Sequence, residues 1–90
     1  MSKTDDSWTP AAEDAATEFA VLQQLLEFHP AQVTVAELVR GLAAEPLDFG
    51  ERDAVERAIR ELAGAGLLHR HDAFVIPTRA ALRFNELLDR

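Results

Sequence analysis

Residues 48–68, DFGERDAVERAIRELAGAGLL, decide how the rest of the chain is read. Asp48 and Glu51 stand three apart and match a capping box, so a helix starts here. Val55, Ala58, Ile59, Leu62 and Ala63 recur at helical spacing and form one apolar stripe. Gly64 and Gly66 supply positions where the chain can turn out of a helix. The spacing predicts a helix over 49–63. Arg52, Asp53, Glu56, Arg57, Arg60 and Glu61 fall on its other side, toward solvent or a partner.

The periodicity changes directly behind this helix. Leu67–His71 alternates like a strand, Asp72 is a turn residue, and Ala73–Ile76 reads as the return strand. Thr78 then caps a last helix over 79–88, with Ala80, Ala81, Leu82, Phe84, Leu87 and Leu88 as its apolar positions. Those positions cover more than one face.

Ahead of the organising helix, Thr9-Pro10 is a helix start. A first helix is expected over 10–28, stopped by His29-Pro30. Ala15, Phe19, Leu22 and Leu26 form one apolar row, and Val21, Leu25 and Phe28 form a second beside it. The combined face is wider than a small core requires. Either both rows are buried in one subunit or part of the face meets another. Thr34 and Glu37 match a second capping box, and Val33 with Leu38 matches a hydrophobic staple. A short helix is expected from Val35 to about Ala44, burying Leu38, Val39 and Leu42, with Pro46 closing the segment. Gly41 inside it is either a close crossing or merely tolerated. Residues 1–8 read as a polar, mobile tail, and 9–90 as one domain. Trp8 either folds back onto the core, the favoured reading, or stands out as an anchor for a partner.

Composition bounds the function. Ninety residues with 48% hydrophobic and 28% charged side chains fit one globular domain. So short a chain buries only about 60% of its unfolded surface, and a second subunit would help. With no cysteine, disulfides, thiolate metal sites and a cysteine nucleophile are excluded. No apolar run is long enough to span a membrane, and no signal segment appears, so a cytoplasmic protein is expected. The net charge of −7 is uneven: residues 1–29 carry one lysine against six acids, and residues 30–90 eight arginines against ten acids.

The order helix, helix, helix, strand, strand, helix, together with AVERAIRELAGAGLLHRHDAFVIPTRAALRFNEL, resembles the winged-helix family of bacterial transcription regulators. The likeness covers residues 14–88 and rests on Val55, Ile59 and Leu62, then Gly66-Leu67-Leu68, a two-stranded wing, and Thr78 opening a last helix. It implies a mainly α fold with a small β-hairpin: a winged helix-turn-helix with a three-helix core, a wing and a C-terminal helix. It also implies a third helix that enters the major groove of duplex DNA and a wing, over 67–76, on the flanking backbone.

Arg52, Arg57, Arg60 and Arg70 are therefore the candidate DNA-binding residues. Each arginine of the third helix has an acid four residues away, the pattern of a self-neutralised face. Arg70 is the wing's only fixed positive charge; His69 and His71 add charge only in acid. The thin basic equipment keeps an alternative open: a winged-helix interaction or dimerisation module that binds protein and not DNA. The wide apolar faces point to a homodimer through helix 10–28 or 79–88. His69-x-His71-Asp72 reads as solvated wing residues, since a metal site would need further ligands. Gly64-Ala65-Gly66 lies between a helix and a strand, the reverse of a dinucleotide-binding loop. No nucleophile sits beside a base in a known motif, so neither an enzyme nor a cofactor is expected.

Overall fold

The computed structural model describes residues 10–42 and 49–89. Its elements are α1 (Pro10–Phe28), β1 (Val33–Thr34), α2 (Val35–Leu42), α3 (Phe49–Gly64), β2 (Leu68–His71), β3 (Phe74–Pro77) and α4 (Arg79–Leu88). The chain is mainly helical, with one small antiparallel sheet in the order β1-β3-β2. The readings that fall on the tail with Trp8, the Thr9 cap, Ala44, Pro46 and the Asp48 cap lie outside the described residues.

One core joins α1, α2, α3 and the sheet. Val21 and Leu25 of α1, Val35, Leu38 and Val39 of α2, and Val55, Ala58, Ile59 and Leu62 of α3 are buried against Val33, Leu68 and Val75 of the sheet. α1 makes its largest contact with α3. Ala63, expected in the α3 stripe, is exposed. Eight residues past Val55, it lies about 80° around the helix from that residue, at the edge of the stripe. Gly41 is a close approach: a Cβ there would stand 2.9 Å from the Gln24 amide nitrogen of α1.

The Thr34–Glu37 capping box forms as expected. The Thr34 N–H donates to Glu37 Oε1 at 2.9 Å, and the Glu37 N–H donates to Thr34 Oγ1 at 3.1 Å. Val33 and Leu38 are both buried, as a staple requires. The same two residues that start α2 also make β1, which the sequence reading missed. Val33 pairs with Val75 and Thr34 with Phe74, so the hairpin becomes a three-stranded sheet.

The end of α3 is a Schellman turn. The Leu67 N–H donates to the Leu62 carbonyl at 2.9 Å and the Gly66 N–H to the Ala63 carbonyl at 3.1 Å. Gly66 takes φ +86°, whereas Gly64 is the last helical residue, so only the second glycine makes the turn. Strand β2 starts at Leu68, one residue later than expected, because the Leu67 N–H is committed to the Leu62 carbonyl in this turn. The hairpin reverses over Asp72 and Ala73, with Asp72 at φ +55°, and pairs His71 with Phe74.

Thr78 caps α4. Its Oγ1 accepts from the Ala81 N–H at 3.2 Å and donates to the Gly66 carbonyl at 2.8 Å. One hydroxyl thus starts α4 and ties it to the loop that ends α3. Only part of the apolar surface of α1 and α4 is covered. Val21 and Leu25 are buried, Leu22 and Leu26 are partly so, and Phe19 and Phe28 are exposed. On α4, Ala81 is buried and Phe84, Leu87 and Leu88 are exposed. The expected second row of α1 therefore ends at Leu25; Phe28 sits where the helix stops, on the wall of an open groove with Gln24, Val33 and Gly41.

Candidate nucleic-acid interface

The same stripe that buries α3 fixes where its charges stand. With Val55, Ala58, Ile59 and Leu62 inward, Arg52, Asp53, Arg57, Arg60 and Glu61 are exposed and Glu56 is half-buried. The four expected pairs along α3, Arg52–Glu56, Asp53–Arg57, Glu56–Arg60 and Arg57–Glu61, are absent from the ion pairs formed among the described residues. Arg57 instead reaches across to α1, where its Nη2 lies 3.3 Å from Asp14 Oδ1. Both side chains are about half exposed, so the pair contributes at most about 1 kcal/mol.

Arg57 and Arg60 share a cleft of about 340 Å³ between α1 and α3, whose walls also carry Asp14, Glu18 and Glu61. Two of the four candidate arginines are thus brought together, in company with three carboxylates. Arg52 is not brought to this cleft: five residues before Arg57, it sits about 140° away around the helix. Arg70 belongs to a different element, on β2, exposed between the exposed His69 and His71. Among the described residues, Arg52, Arg60 and Arg70 form no ion pair. The hairpin tip carries one weak contact, His71 Nε2 to Asp72 Oδ2 at 3.9 Å, with both side chains more than three-quarters exposed.

Asp14 and Glu18 are the site residues that sequence reasoning missed. They lie four apart, so they share one face of α1. That spacing was visible. The partner of that face was not, because it depends on how α1 crosses α3.

Among the described residues no group of three or more His, Cys, Asp or Glu side chains converges to hold a metal ion. No described helix is long and apolar enough to cross a membrane. Compared with known proteins, the chain matches no protein-family model, no curated protein and no solved structure.

Proposed function

We propose that this chain is a winged-helix module that binds duplex DNA and acts in transcription control. The observation that carries this reading is the setting of α3. It follows the capped helix α2, buries one stripe, and leaves Arg52 and Arg60 exposed and free of ion pairs among the described residues. The element order and the sheet order β1-β3-β2, with a hairpin directly behind α3, support a winged-helix arrangement. In this reading Arg52, Arg57 and Arg60 serve the groove and Arg70 the flanking backbone. Arg57 must first leave Asp14. A phosphate can displace that pair, since half-exposed ion pairs are weak.

The test is the anisotropy of a labelled mixed-sequence duplex titrated with the full chain over a salt series. Three to five phosphate contacts give a log–log slope of about −3 to −4. Arg60→Ala should flatten that slope by about one if the side chain meets phosphate. If it reads a base, Arg60→Ala should instead cost about 1–3 kcal/mol on one sequence only.

A second reading is favoured by one contact. Asp14 holds Arg57, and carboxylates from both helices line the cleft beside it. That mixed charge suits a protein surface better than a phosphate backbone. Absence of binding to duplex at low salt would leave the protein-docking reading in place.

A further inference from the structure

Among the described residues the large exposed apolar side chains are Phe19, Phe28, Phe84, Leu87 and Leu88, all on α1 and α4. On α4, Ala80, Phe84, Leu87 and Leu88 stand at i, i+4, i+7 and i+8, which is one stripe of a helix. Ala81 is buried and Leu82 and Asn85 are half-buried, so the side that meets the protein is a different one. On α1, Phe19, Leu22 and Leu26 form the matching stripe. The two meet in a groove of about 400 Å³, with Phe19, Leu22 and Leu26 on one wall and Phe84 and Leu88 on the other.

We infer that this face is a self-association surface, on which a second copy of the chain docks with the two α4 helices antiparallel and Phe84 at the two-fold axis. Two features of the face select that occupant.

The first is area. Phe19, Phe84, Leu87 and Leu88 are 48–67% exposed. With about 200 Å² for an aromatic side chain and somewhat less for leucine, they present on the order of 450 Å². A standard interface takes about 800 Å² per partner, a little over half of it apolar. The patch supplies that apolar share, and its polar rim supplies the rest.

The second is the spacing of sizes along α4. Phe84 lies at the middle of Arg79–Leu88. An antiparallel copy therefore sets Phe84 beside its twin and small Ala80 opposite large Leu88. Large against small is what interdigitating helix surfaces need.

The experiment is sedimentation equilibrium of the full chain over a wide concentration range. Twice the chain mass is expected at high micromolar concentration. Phe84→Glu should weaken association at least roughly tenfold, as loss of a central aromatic contact does. Phe28→Glu, at an exposed site off this groove, should leave it unchanged. Far-UV circular dichroism checks that each variant folds, and Phe19→Glu replaces Phe84→Glu if that chain does not. A wild-type mass that stays monomeric overturns the inference. So does a dimer indifferent to Phe84→Glu and Phe19→Glu. The DNA reading is independent: a monomer that binds duplex would sink only this inference, and a dimer that ignores duplex would sink only the other.

Discussion

Gly66 and Gly64 are two residues apart and look alike in sequence, yet their backbones ask for different things. Gly66 sits at φ +86°, where a Cβ collides with its own backbone, although nothing else lies within 4 Å. Gly64 is helical and equally open around its Cα. Gly66→Ala should therefore lower stability by about 1–2 kcal/mol, the cost of a side chain in the left-handed region. Gly64→Ala should raise it by roughly 0.5–1 kcal/mol, because alanine loses less conformational freedom in a helix. Urea titration measures both. Equal effects of one sign would mean that the chain does not turn at Gly66. Thr78 is the other single residue on which two elements depend. Thr78→Ala removes the α4 cap and the bond to the Gly66 carbonyl and should cost about 1–2 kcal/mol. Thr78→Ser keeps the hydroxyl and should recover most of the loss; a serine variant as unstable as alanine would mean that the methyl group matters and the cap does not.

At the scale of elements, the sequence was readable where a signal was local. The capping box of α2, the stripe of α3, the glycine turn and the hairpin are each encoded within a dozen residues, and each formed close to its expected bounds. Strand β1 was not readable. Val33-Thr34 is two residues long and shares its side chains with the start of α2, and only its pairing with Val75 and Phe74 makes it a strand. The site was legible in part for the same reason. That Arg52, Arg57, Arg60 and Arg70 are exposed followed from periodicity. That Arg57 turns to Asp14, and that no α3 arginine closes on its neighbour four residues away, depends on the crossing of α1 and α3, which no spacing within either helix encodes. Thr34→Ala puts the local signals to the test. It breaks one side of the capping box but leaves the β1 backbone free to pair, so it should cost about 1 kcal/mol. For a domain of this length that is about 4–8 °C in Tm, readable in a thermal melt. An unchanged Tm would mean that the sheet, and not the box, holds the start of α2.

Across the whole molecule, α1 serves two surfaces at once. Val21 and Leu25 anchor the core, and Asp14 and Glu18 face the arginines of α3. A chain with a net charge of −7 repels a polyanion at long range, and its N-terminal third carries most of that excess. If α3 enters a DNA groove, the two α1 carboxylates weaken binding in two ways: they repel phosphate and they occupy Arg57. Asp14→Asn with Glu18→Gln keeps shape and hydrogen-bonding capacity while removing two negative charges, one of them the partner of Arg57. Both side chains lie outside the buried core, so the variant should fold with little change in stability. Its duplex affinity at low salt should rise by roughly tenfold or more, and the salt slope should steepen by about one as Arg57 becomes free to meet phosphate. A rise in affinity with an unchanged slope would mean that only repulsion was relieved and Arg57 makes no contact. No rise at all, in a wild type that binds duplex, would place the DNA away from the α1–α3 cleft and leave Arg52 and Arg70 as the residues that carry binding.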